Sequence, residues 1–245
     1  MARSTMTLDE LVRQFSTAYG PDLQCMVLYG SAASGEQLSA KSDHNVLVIV
    51  HRISRSRLQQ LSTTTRAWSE AGNPPPLTLT TTEWRRSADI FPMEYADILE
   101  RHRVLSGSAP FEGIRVNTTD LRLQVEHEAM GILLKLRAGM MAAGGDAKLQ
   151  GALLTDSLSA LMVVFRASLR LSGDVPEREY AAVARKIAER VGFDHTPFLQ
   201  VIELARNSKS GALSDTAGTL DAYVEGMEQL VSYIDRFEVP LLAEQ

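Results

Sequence analysis

The hydrophobic period of this chain changes once, near residue 116, and that change limits what it can fold into. Ahead of it, short β-rich runs alternate with helical stretches. Runs 24–29, 45–51, 77–81 and 103–106 are four to seven residues long and end in turn-forming or polar residues, as strands do. Helical stretches cover 8–18, 54–71 and 93–101. Asn73-Pro74-Pro75-Pro76 stops the second of these and leads into the third strand, because a proline disfavours helix in the residue ahead of it. Behind residue 116 the apolar spacing is helical throughout. Leu121, Val125, Ala129, Ile132, Leu133, Leu136 and Met140 mark one face of a long helix. Asn117-Thr118-Thr119-Asp120 offers its N-cap, and Ala143-Gly144-Gly145-Asp146 breaks it. Leu149, Leu153, Leu161, Val164, Phe165 and Leu169 mark the inner face of a second, which Ser172-Gly173-Asp174 ends. Pro176 suits the first turn of the next helix. Stretches 177–191, 196–207 and 215–237 then complete a bundle of four or five helices. The expected fold is α+β over residues 1–116, a small mixed sheet with flanking helices, followed by an all-α helical bundle over 117–245.

Composition narrows the function classes. The 245 residues carry a net charge of −5 and 44% apolar residues, which is ordinary for a globular protein. The first part holds 12 basic and 12 acidic residues and the second 13 and 18, so the acidity belongs to the helical part. A mildly acidic chain lacks the basic footprint of a nucleic-acid binder. No uninterrupted apolar run reaches the ~18–20 residues of a membrane span. The first ten residues make a poor signal peptide, and a lone Cys25 has no partner for an internal disulfide. The expected location is cytoplasmic, without a membrane partner. Long amphipathic helices in the second part make a homodimer a further expectation.

Chemistry concentrates in one stretch. The apolar run Met26-Val27-Leu28-Tyr29 ends in Gly30-Ser31, and a polar loop leads to Asp43-His44-Asn45 at the head of a second apolar run. Gly30 lets the backbone approach a phosphate, and Ser31 adds a hydroxyl and an N–H. Positions 43 and 45 share one face of a strand, while His44 points to the other.

This stretch resembles the signature of the nucleotidyltransferase superfamily: an apolar strand ending in Gly-Ser, a spacer, then Asp-x-Asp on the next strand. The helical part is similar to the bundle of kanamycin-nucleotidyltransferase-like proteins. The resemblance implies nucleotide binding at Gly30 and Ser31. It also implies metal-holding carboxylates at 43 and 45 with a third on a later strand, where two metal ions clamp the displacement. Asp43 fills the first position. Asn45 stands at the second, and a neutral amide brings no charge to a hard cation. Run 77–81 contains no acid, and Glu83 behind it starts a helical turn. The resemblance further implies a general base from the helical part, for which Glu126 or Glu128 is a candidate; as i and i+2 on a helix they cannot share a face.

Three functions follow as expectations. The first is a degenerate nucleotidyltransferase-like protein that binds an NTP with little or no transfer. The alternative is an active enzyme that uses Mg²⁺ and moves a nucleoside monophosphate to a small hydroxyl acceptor or a protein. The second alternative is a non-catalytic interaction module with an acidic bundle. The expected cleft lies between the two parts, since ligand sites favour such interfaces. Glu94 and Asp97, i and i+3 on one helix face, read as a solvated or arginine-paired surface ahead of a replacement acid. Arg122 with His127 and Arg190 with His195 are similar in spacing to the ribonuclease motif of HEPN domains; two matches in one chain mark the pattern as loose. Arg85-Arg86 and Arg101 with Arg103 are too small a cluster for a nucleic-acid patch.

Overall fold

The computed structural model describes residues 6–34, 44–207 and 213–239. Two compact units divide the chain, Met1–Val116 and Asn117–Gln245.

In the first unit, α1 (Leu8–Tyr19) leads to β1 (Leu23–Tyr29), the short α2 (Ser31–Ser34) and β2 (Asn45–Val50). Then come α3 (Arg55–Gln60), α4 (Ser62–Glu70), β3 (Leu77–Thr80), α5 (Thr81–Arg86), α6 (Pro92–Glu100) and β4 (His102–Gly107). The sheet order is β3-β2-β1-β4. β1 lies antiparallel to β2 and β4, and β2 parallel to β3, so the sheet is mixed.

Both central strands are buried on both faces, which explains their unbroken apolar runs. On one face Met26, Leu28, Val46, Val48 and Val50 pack with Leu11, Phe15, Tyr19, Leu61 and Trp68. On the other, Cys25, Val27, Leu47 and Ile49 pack with Trp84, Tyr95 and Ile98. α5 begins with a reciprocal cap. The Thr80 hydroxyl accepts from the Glu83 amide at 3.1 Å, and the Glu83 carboxylate accepts from the Thr80 amide at 2.7 Å. This holds Trp84 stacked on Tyr95, ring centroids 4.1 Å apart, and Tyr95 donates its hydroxyl to the Trp84 carbonyl at 2.7 Å.

The second unit holds α7 (Thr118–Ala143), α8 (Ala147–Leu171), α9 (Tyr180–Val191), α10 (Thr196–Arg206) and α11 (Thr216–Asp235). Phe165, Phe193, Phe198 and Tyr223 form its aromatic centre. Buried Arg166 lies over the Tyr180 ring and donates to the Arg178 carbonyl at 2.9 Å. α8 is the one described helix long and apolar enough to cross a membrane, and 56% of that stretch is buried within the structure.

Several local expectations need correction. Stretch 54–71 is two helices, because the chain turns at Leu61, whose buried side chain anchors the break ahead of the helix-poor run Ser62-Thr63-Thr64-Thr65. Leu149 is exposed, since the buried line of α8 begins one position round, at Gln150 and Leu154. α9 starts at Tyr180, so Pro176 stands ahead of it and not in its first turn.

Candidate functional site

β1 and β2 come to an end together. Tyr29 pairs with Asn45 on one side and with His102 on the other, so these three residues sit side by side on one face of the sheet. Gly30 follows in the left-handed region, at φ 75°, and turns the chain into α2, where the Ala33 amide donates to the Gly30 carbonyl at 3.1 Å. A Cβ at Gly30 would meet Asn45 Nδ2 at 3.4 Å, an ordinary contact. The backbone angle, more than space, is what calls for glycine there. Ser31 opens α2. Asp43 lies outside the described residues.

α6 covers this face. Its Tyr95 and Ile98 reach the core, and its Glu94 and Asp97 stand close enough to act on Tyr29. Burial first, then the Glu94 carboxylate, then that of Asp97, push the Tyr29 phenol up to about 12. Asp97 forms an ion pair with Arg101, one turn on. Glu94 is exposed. His102 Nδ1 lies 2.8 Å from the Ile98 carbonyl. A carbonyl only accepts, so Nδ1 carries the proton of the neutral ring and Nε2 keeps the lone pair. The ring edge meets Phe111, centroids 4.8 Å apart.

The rim at the end of the strands therefore combines Gly30, Asn45, Tyr29 and His102 with two carboxylates from α6. The sequence leads to a solvated or arginine-paired face for Glu94 and Asp97, and Glu94 is exposed while Asp97 pairs with Arg101; what it does not reveal is their nearness to Tyr29. The signal was that α6 runs almost directly into a strand. Once β4 pairs with β1 at Tyr29, α6, which ends two residues ahead of His102, must lie over that end of the sheet.

The other candidates have these surroundings. His44 faces away from Asn45; its amide donates to Asn73 Oδ1 at 3.0 Å and its ring meets Trp68 edge-on. Glu126 forms an ion pair with Arg122 at 3.1 Å, and Glu128 is exposed on the same helix of the second unit. Arg122 also donates to the Phe237 and Asp235 carbonyls, pinning the end of α11. Arg190 pairs with Asp174, and His195 lies past Gly192, which ends α9 at φ 95°. Among the described residues no group of three His, Cys, Asp or Glu is placed to hold a metal ion. A cavity of about 510 Å³ opens away from the rim, between Phe15, Leu61, Thr65, Arg66, Pro76 and Thr78.

This arrangement of strands and helices has known counterparts. The crystal structure of spectinomycin adenyltransferase AAD(9) from Enterococcus faecialis, with ATP and spectinomycin, aligns over 91% of this chain and 100% of that one, with a TM-score of 0.55. The fold is nucleotidyltransferase-like. At 12% sequence identity the likeness concerns the fold alone. A nucleotidyltransferase-like protein from Exiguobacterium sibiricum 255-15 aligns over 92% of this chain and 75% of that one, at 14% identity and a TM-score of 0.33. No protein-family model matches the chain, and no curated protein does.

Proposed function

We propose that the chain binds a nucleoside triphosphate at the end of β1 and β2 and transfers its nucleotide poorly or not at all. Gly30 and Ser31 hold phosphate oxygens through backbone N–H groups and the serine hydroxyl. Asp43 and the Asn45 amide oxygen are the residues that would hold a Mg²⁺ delivered with the triphosphate. Such an ion neutralises charge on the phosphates. The observation that carries the reading is Asn45. It stands against Gly30, where the resemblance calls for a carboxylate, and it supplies a neutral oxygen in its place.

The test is calorimetry with ATP, GTP, CTP and UTP, each with and without Mg²⁺. Binding of one or more, with no turnover of labelled NTP in a cell extract, is the expected result. Failure to bind any of them overturns the proposal. Asn45→Asp then asks what was lost. Metal-dependent turnover in that variant identifies the missing charge.

Glu94 favours a second reading, an active nucleotidyltransferase. Its effect on Tyr29 brings an exposed carboxylate to the rim, where it can supply the acid absent from β3. Label incorporation by the native chain, abolished by Glu94→Gln while NTP binding persists, decides for this reading.

A further inference from the structure

The cavity of about 510 Å³ in the first unit is put to no use by the rim. Its volume falls in the range of small-molecule sites, about 300–1,000 Å³. Phe15, Leu58, Leu61 and Pro76 make its apolar side. Ser62, Thr65 and Ser69, from one face of α4, make the other side with Thr78 of β3. Thr78 pairs with Val48, which packs with Phe15, Leu61 and Trp68. The cavity therefore lies on the opposite face of the sheet from Tyr29, Asn45 and His102. Thr17, Thr155 and Ser168, on other helices, donate their hydroxyls to the carbonyl one turn back. The hydroxyls of Ser62, Thr65 and Ser69 make no hydrogen bond to a described residue. Arg66 is the one charged residue among the described ones that line the cavity. It is exposed and forms no ion pair with a described residue. Residues 51–69 hold four arginines and no acid, and Asp22 takes two of the four, Arg52 and Arg57.

We propose that this cavity binds a small monocarboxylate with a compact apolar body, such as an aromatic ring or a branched aliphatic chain. The Arg66 guanidinium takes the carboxylate through two parallel hydrogen bonds. The free hydroxyls of α4 donate to the carboxylate lone pairs that the guanidinium leaves open. Phe15, Leu58, Leu61 and Pro76 cover the apolar body and remove it from water. Charge decides the class. One cation balances one negative charge, so a phosphate dianion or a nucleoside triphosphate would enter with charge left over. An uncharged molecule would gain nothing from Arg66. A fully polar anion would leave the apolar side without a partner. The site stands whether or not the rim binds a nucleotide, because the sheet separates the two.

Calorimetry and amide chemical shifts of the full chain, titrated with benzoate, phenylacetate and isovalerate, test it. At least one of the three binds with a dissociation constant below about 10 mM. The amides of Thr65 and Thr78 move on binding, while those of Gly30 and Asn45 stay. The uncharged amide of the acid that binds is weaker by about tenfold or more. Arg66→Gln, at an exposed position, lowers affinity for the acid by a similar factor, with an unchanged circular dichroism spectrum and melting temperature. Arg66→Lys restores part of it. Ser62→Glu, one turn ahead of Arg66, offers the guanidinium an internal carboxylate and weakens binding in the same way. No binding of any of the three acids up to about 10 mM, an amide that binds as well as its acid, affinity indifferent to Arg66→Gln, or shifts confined to the rim overturns the proposal.

Discussion

Tyr29 keeps its proton up to about pH 12 because it is buried and because Glu94 and Asp97 stand near it. Glu94→Gln removes one of those charges, so Tyr29 should ionise at a lower pH. The change is partial, since burial is the larger cause. Phenolate absorbance followed against pH, with Tyr29→Phe identifying the step, makes the comparison. An unmoved step would place Glu94 away from the rim. Glycines give a second prediction. Gly30 needs its positive φ but has room for a methyl group, whereas a Cβ at Gly107 would collide with the Gln24 carbonyl oxygen and also demands φ 74°. Gly30→Ala should cost about 1 kcal/mol. Gly107→Ala should cost more, because backbone cannot move aside as a side chain can. Urea melts rank the two.

The cap of α5 acts through the residues it carries. Thr80→Ala removes a hydroxyl that accepts from the Glu83 amide, at a cost of about 1 kcal/mol. Trp84 and Tyr95 link α5 to α6. The same substitution should therefore raise hydrogen exchange in α6 as well as in α5. Protection lost in α5 alone would show that the stacked rings do not couple the two. At this scale the sequence was legible where burial is two-sided. Val46 to Val50 could be read as a strand, and Glu83 behind β3 as the opening of a helix. It was not legible where tertiary neighbours decide. Leu149 and Leu153 look alike in sequence, and only the position of the partner helices leaves the first exposed. Glu94 and Asp97 carry no local mark either. Their place depends on β4 pairing with β1, a contact between residues far apart in the chain.

Alkaline stability is a property of the whole molecule. Tyr29 and Tyr95 move from an ordinary 10.0 to about 12, and Cys25 from 9.0 to about 11, all chiefly through burial. Each group is easier to deprotonate unfolded than folded. The stability they contribute is whole below about pH 9 and falls as pH rises towards 12. Chemical denaturation should show a midpoint that declines across that window. A flat midpoint would mean that these groups are exposed. Strands alternating with helices, followed by helices alone, were readable from hydrophobic period. The order of the strands was not, because period says which residues form a strand but not which strand lies beside it.

That order has a consequence for the chain as it leaves the ribosome. β1 precedes the other three described strands in the chain, yet it occupies the interior of the sheet, and the strand that closes one of its sides ends only at Gly107. Until then Leu23–Tyr29 presents a naked row of amides and carbonyls, on a segment with no charged side chain. Every nascent chain passes through this interval, in which this uncharged strand is open to pairing with a neighbour's. Fragments that stop between residues 51 and 101 freeze the interval. They should precipitate, whereas fragments extended past residue 116 should not.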